Sequence, residues 1–84
     1  MLTSTIAHPV VPEIDLSLPC TAVLRGALPG IRDHTARSDL LFLERWEIAP
    51  APGMGAVLRV QQIRRANPEL AAAIRAEVAA ARKR

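Results

Sequence analysis

The residue types that act as nucleophiles, general bases or metal ligands are few in this sequence and lie far apart. It contains one cysteine, Cys20, two histidines, His8 and His34, and no tyrosine. Metal sites usually need histidines and cysteines clustered at short spacings, and Asp33-His34 with Asp39 is the one local group with ligand-type atoms. Asp33 has a simpler explanation as a helix cap, and a lone cysteine is more often a small buried hydrophobic residue. We therefore expect no catalytic site, no metal ion and no cofactor.

Basic residues offer a second kind of chemistry, the binding of anions, and they are concentrated in the second half of the chain. Residues 1–42 contain three arginines and four acidic residues, whereas residues 43–84 contain eight basic and four acidic residues. Seven of those eight are arginines, whose guanidinium groups pair bidentately with phosphates and base edges. A basic half of this kind indicates a polyanionic partner. An arginine-rich chain that carries these residues on a solvated face, with no ligand, would have the same numbers of basic and acidic residues. Both interpretations therefore stay open here.

Length and composition predict one small domain in a reducing compartment. A chain of 84 residues has room for one domain, and with Phe42 and Trp46 as the only aromatic residues, its core must be built from Leu, Ile, Val and Ala. A small core leaves apolar surface that a homo-oligomer or another protein would cover. A single cysteine cannot form an intramolecular disulfide, and no apolar run approaches the roughly 20 residues of a membrane span. We expect a cytoplasmic protein that does not bind membranes.

The first part of the chain is predicted to be an arm. Residues 1–18 read as extended or partly disordered, because prolines 9, 12 and 19 bias the chain away from helix. Ile14, Leu16 and Leu18 alternate with Asp15 and Ser17, a period of two that is typical of extended chain. Residues 19–84 are predicted to form a single small helical domain.

Helical patterns predict three elements in this domain. A short helix over residues 21–28 is weakened by Gly26 and stopped by Leu28-Pro29-Gly30. A second helix over residues 35–47 places Ala36, Leu40, Leu43 and Trp46 on one face. A third begins at Asn67, an N-cap followed by Pro68 and Glu69, and repeats Leu70, Ile74 and Val78 every four residues.

Residues 56–66 fit two structures. Val57, Leu58 and Val60 favour a strand, with the preceding Gly53-Met54-Gly55 as a hairpin turn. The same residues also open a helix that runs through Ile63. The predicted fold is mostly α, with three to four short helices and, in the first of these alternatives, a small β-hairpin wing.

The order helix, turn, Arg-bearing strand and closing helix resembles a winged helix. Glu47-Ile48-Ala49-Pro50 and Arg59-Val60 are similar to the end of the recognition helix and to the wing in the small winged helix-turn-helix domains of phage excisionases and MerR-type regulators. The resemblance covers about 35 residues. It implies a small DNA-binding regulator or recombination accessory protein whose helix 35–47 lies in the major groove.

The contacts implied by this resemblance fall into two groups. The N-terminal side of helix 35–47 would face bases and phosphates, and the later basic residues would neutralise phosphates. The predicted nucleic-acid-binding residues are His34, Thr35, Arg37, Ser38, Arg45, Arg59, Arg64, Arg65, Arg82, Lys83 and Arg84. The alternative is a non-enzymatic protein-interaction module, similar to antitoxins, adaptors or inhibitors, that binds a partner through an apolar helix face.

Overall fold

The structure, a computed structural model, describes residues 18–83. It contains four α-helices: α1 (Ala22–Ala27), α2 (His34–Ile48), α3 (Met54–Ala66) and α4 (Pro68–Arg82). A 3₁₀ turn, Leu28–Gly30, follows α1 directly. The mostly helical fold that the sequence predicts is confirmed for these residues. The predicted arm lies almost wholly outside them, with only Leu18 described, and Arg84 lies outside them as well.

The predicted β-hairpin wing is wrong. Residues 56–60 belong to α3, and residues 18–83 contain no strand. Val60 and Ile63, three residues apart, are both buried, a spacing that suits one face of a helix and not one face of a strand. Gly53 precedes the helix with a φ of 123°, a conformation that glycine adopts without strain. The glycine therefore starts a helix and does not close a hairpin.

Helix α2 begins and ends where local chemistry requires. The Asp33 side chain accepts a hydrogen bond from the backbone N–H of Ala36 at 2.9 Å, so Asp33 is the N-cap that the sequence predicts. The helix stops at Ile48 because Pro50 biases Ala49 away from helical angles and has no N–H to continue the ladder. The predicted span of 35–47 is thus one residue short at each end.

A single residue, Asn67, joins α3 to α4. Its backbone N–H donates to the carbonyl of Ile63 at 2.9 Å, and its own carbonyl accepts from Ala71 at 2.9 Å, so it closes one helix and opens the next. Its side-chain Nδ2 also turns back to the Ile63 carbonyl, at 3.4 Å, and makes no capping bond to α4. The predicted position of the N-cap of α4 is confirmed, although the Asn67 side chain hydrogen-bonds to the preceding helix, α3.

The core lies where the four helices meet, and α4 contacts each of the other three. Its buried apolar members are Leu24, Leu28, Leu40, Leu43, Val60, Ile63, Ala71, Ile74 and Val78. On the predicted apolar faces of α2 and α4, four residues are buried: Leu40, Leu43, Ile74 and Val78. The other three, Ala36, Trp46 and Leu70, are half-buried. None of the described helices is long and apolar enough to cross a lipid bilayer.

The start of α1 is held by carboxylates from two other helices. Glu44 of α2 is fully buried and accepts hydrogen bonds from the backbone N–H of Cys20 (2.8 Å), the backbone N–H of Thr21 (2.8 Å) and the hydroxyl of Thr21 (2.7 Å). Glu77 of α4 accepts from the backbone N–H groups of Ala22 (2.7 Å) and Val23 (3.1 Å). These bonds fix the chain that leads into the first helix against α2 and α4.

Removing the Glu44 carboxylate should therefore destabilise the whole domain. We expect Glu44→Ala to lower the free energy of unfolding by about 3 kcal/mol or more, since several buried donors lose a charged acceptor. Glu44→Gln keeps one acceptor oxygen and should cost about 1–2 kcal/mol. Urea unfolding followed by circular dichroism measures both values. The control is Glu69→Gln, an exposed residue in the first turn of α4 that should cost under about 1 kcal/mol. A Glu44→Gln variant as stable as Glu69→Gln would contradict this role.

Candidate binding groove on helix α2

One face of α2 forms a groove of about 630 Å³, here called the α2 groove. Its lining residues on α2 follow helical spacing, so they lie along one face of the helix. The described lining residues are Leu18, His34, Arg37, Ser38, Leu41, Phe42, Arg45 and Arg59. They combine an apolar strip with basic groups, and none of them is acidic.

The apolar strip comes from Leu41 and Phe42, which are half-buried, and from Leu18, which is 59% exposed. The guanidinium of Arg59, reaching across from α3, lies 4.1 Å from the centre of the Phe42 ring, a cation–π contact. The same side chain donates to Asp39 at 3.1 Å. The Arg59 side chain is thus held by both the Phe42 ring and the Asp39 carboxylate.

Arg37 is held in the groove by main-chain carbonyls. Its Nη1 donates to the carbonyl of Leu28 (2.6 Å), the first residue of the 3₁₀ turn, and to the carbonyl of Ile31 (2.9 Å), which follows the turn. Both acceptors are neutral, so these bonds orient the guanidinium without cancelling its charge. One Nη1 group carries two N–H donors, so it can donate to both carbonyls at once.

Arg45 marks the other end of the groove. Its Nη2 donates to the carbonyl of Leu18 at 2.7 Å, and its Nη1 lies 2.8 Å from the sulfur of Cys20. These contacts attach the chain that precedes α1 to the C-terminal half of α2. Cys20 is exposed, so its interpretation as a small buried hydrophobic residue is wrong.

The groove brings together five of the predicted nucleic-acid-binding residues. They are His34, Arg37, Ser38, Arg45 and Arg59. Thr35 is exposed in the first turn of α2 but is not among the described lining residues.

The remaining predicted residues do not join this group. Arg64 forms a 2.5 Å ion pair with Glu47 and lies over the ring of Trp46. Arg82 donates to the carbonyls of Glu47 (2.8 Å) and Ile48 (2.6 Å), where it satisfies the C-terminal end of α2. Arg65 and Lys83 are exposed. Trp46, on the predicted apolar face of α2, packs half-buried against the core.

Sequence reasoning missed the two glutamates that hold α1 and the apolar strip of the groove. Glu44 falls outside the predicted apolar face of α2, yet it is fully buried. A signal for the groove was nevertheless present: Leu41 falls off the main apolar stripe of α2 and is followed by Phe42. Two adjacent large apolar residues outside the stripe indicate a second apolar face on the helix.

The described residues contain no group of three or more His, Cys, Asp and Glu side chains that could hold a metal ion. No protein-family model, curated protein or solved structure matches this chain. The α2 groove is therefore the feature of the described residues that bears on function.

The bonds of Arg37 should contribute measurably to stability. We expect Arg37→Met, which keeps much of the aliphatic stem but loses both hydrogen bonds, to lower the free energy of unfolding by about 1–2 kcal/mol. The matched control is Arg75→Met on the exposed side of α4, with an expected change under about 0.5 kcal/mol. Urea unfolding of the two variants makes the comparison. Equal stability of the two variants would show that the carbonyl bonds do not hold Arg37.

Proposed function

We propose that this protein is a non-enzymatic interaction module whose α2 groove binds an acidic, partly apolar polypeptide segment. The observation that carries the proposal is the composition of the groove. Three guanidinium groups, of which that of Arg59 is paired with Asp39 at 3.1 Å, surround a half-buried Leu–Phe strip, and no acidic residue is among the described lining residues. A segment with alternating apolar and carboxylate side chains complements both features.

The shape of the groove favours a polypeptide over a duplex. It is an open depression of about 630 Å³, which gives an extended segment a surface to lie along. A helix that reads DNA must enter the major groove, which places its reading face on a projecting surface. The corresponding face of α2 is instead a shallow depression bordered by Leu18 and by Arg59 of α3.

The arginines are arranged to bind carboxylates at low entropic cost. Arg37 and Arg45 are held by the carbonyl groups of Leu28, Ile31 and Leu18, and Arg59 rests on Phe42. Side chains that are already ordered lose less rotamer freedom when a ligand binds. The described bonds of Arg37 use Nη1 alone, which leaves Nη2 to donate to a carboxylate of the partner.

A peptide-binding measurement tests the proposal directly. The probe is a fluorescein-labelled decapeptide in which Leu and Asp alternate, and the reference is the same peptide with Lys in place of Asp. By fluorescence anisotropy, we expect the acidic peptide to bind at least about tenfold more tightly than the basic one, because the groove charge is complementary to Asp.

Two charge reversals locate the binding site. Arg59→Glu should weaken binding of the acidic peptide about tenfold or more, whereas Arg65→Glu, the same charge change at an exposed residue outside the groove, should stay within about twofold. Circular dichroism confirms that both variants keep their helices. Equal binding of the two peptides, or equal weakening by the two substitutions, would overturn the proposal.

Nucleic acid is a second candidate partner, favoured by a separate set of basic groups. The charged ends of Arg32, Arg65, Arg75 and Lys83 make no hydrogen bond or ion pair within residues 18–83. Four phosphate contacts would give a slope of about −4 when log K is plotted against log salt concentration. A gel shift on random duplex DNA at about 50 mM salt, repeated with Arg65→Glu/Arg75→Glu, tests this candidate. Absence of a shift at micromolar protein would exclude it.

A further inference from the structure

We infer that the α2 groove selects an extended partner segment whose acidic and apolar side chains alternate on one face, in the order acidic-x-apolar-x-acidic, where x is any residue. The inference rests on the proposed function, since it names the class of sequence that the same site binds. Three features carry it: the order of side chains along α2, the distances between them, and the bonds that hold the arginines of this row.

The residues Arg37, Leu41 and Arg45 form one row along the surface of α2. They are four residues apart, so each lies about one turn beyond the last on the same side of the helix, and all three line the groove. Leu41 is half-buried and packs against the core, which fixes an apolar contact at the middle of the row. The row therefore presents a cation, an apolar group and a second cation, in that order.

The spacing of this row matches one face of an extended chain. Four residues of α-helix rise about 6 Å, and two residues of extended chain advance about 6.6 Å. Over the whole row the two lengths are about 12 Å and about 13 Å, a difference that a flexible arginine side chain takes up. In extended chain, every second residue points to the same side. Three such residues of a partner therefore meet Arg37, Leu41 and Arg45 in turn.

Backbone carbonyls hold the two arginines at the ends of the row. The Nη1 group of Arg37 donates to the carbonyls of Leu28 and Ile31, and the described bonds leave Nη2 to donate to a carboxylate. Arg45 donates to the carbonyl of Leu18 at 2.7 Å, which fixes its guanidinium at the other end. There it attracts a second carboxylate by charge. Two cations held about 12 Å apart along the helix thus define where the partner's acidic residues lie.

Strict alternation of acidic and apolar residues satisfies this row only in part. In extended chain it places the carboxylates on the side opposite to the apolar residues. When the apolar side packs on Leu41, the carboxylates then point away from α2 and gain only the longer-range attraction of the basic groove. The acidic-x-apolar-x-acidic order brings both kinds of side chain to the helix. It also reads the same from both ends, so either chain direction fits the row.

Two fluorescein-labelled decapeptides of identical composition test the inference. The one-face peptide is Asp-Ser-Leu-Ser-Asp-Ser-Leu-Ser-Asp-Ser. The two-face peptide, Ser-Leu-Asp-Ser-Asp-Leu-Asp-Ser-Ser-Ser, carries its Asp and Leu residues on opposite sides of an extended chain. By fluorescence anisotropy with the full-length protein, we expect the one-face peptide to bind about fivefold more tightly or better, because it forms two more ion pairs that are each weak at an exposed site.

A variant of the row assigns this preference to its arginines. Arg37→Met removes one of the two cations and should reduce the preference for the one-face peptide to about twofold. Arg75→Met, the same change on the exposed side of α4, should keep the full preference. Circular dichroism confirms that both variants keep their helices. The same preference in Arg37→Met as in Arg75→Met would overturn the role of Arg37 in the row.

The outcomes separate this inference from the proposed function. Equal affinity for the two serine-containing peptides, tighter binding of the two-face peptide, or binding of neither would overturn the inference. If the Leu–Asp decapeptide still binds more tightly than its Lys counterpart, the groove remains a site for acidic segments of no fixed order. If the one-face peptide is preferred but the Leu–Asp decapeptide binds no more tightly than its Lys counterpart, the order stands and the broader proposal fails.

Discussion

The fully buried carboxylate of Glu44 is the constraint on which the rest of this small domain depends. It accepts three hydrogen bonds from Cys20 and Thr21, and Glu77 accepts two more from the next residues. With the bond from Leu24 N–H to the Thr21 hydroxyl, the free N–H groups at the start of α1 are all paired. A helix of six residues is not stable alone in water. Charge-assisted bonds and the positive end of the helix dipole offset the cost of burying the carboxylate.

This anchoring shapes the functional surface as well as the fold. Because Glu44 fixes Cys20 and Thr21, Leu18 is brought to Arg45 and closes one end of the α2 groove. Two arginines perform similar structural tasks: Arg37 in the groove and Arg82 in α4 both donate to carbonyls at the ends of helical segments. The basic composition of this chain therefore reflects backbone satisfaction in part, so the net positive charge alone does not identify a ligand.

Much of the helical framework is predictable from local sequence, because caps and stripes act over a few residues. The Asp33 cap, the Asn67-Pro68 start and the spacing of buried residues in α2 and α4 all belong to this class. The sequence of α3 fits both a strand and a helix because its β-branched residues suit either structure, and only the packing of Val60 and Ile63 decides between them. The winged fold was wrong for that reason.

The candidate site was predictable in part. Residues on one face of α2 follow from helical spacing, and Arg59 was among the predicted residues. The bonds that arrange the site were not predictable, because Glu44 and Glu77 act across 23 or more residues and every residue supplies a carbonyl to which an arginine can donate. Sequence patterns record side-chain types, but they do not record which backbone groups a guanidinium will reach.

Amide hydrogen exchange at Cys20 and Thr21 tests the central claim most directly. Neither N–H lies within a helix, and each donates a hydrogen bond to the Glu44 carboxylate. If that carboxylate anchors the chain, both amides should exchange at least about a hundredfold more slowly than in an unstructured peptide, close to the protection of the core helices. Exchange of these two amides at the unstructured rate, while α2 and α4 stay protected, would contradict the account.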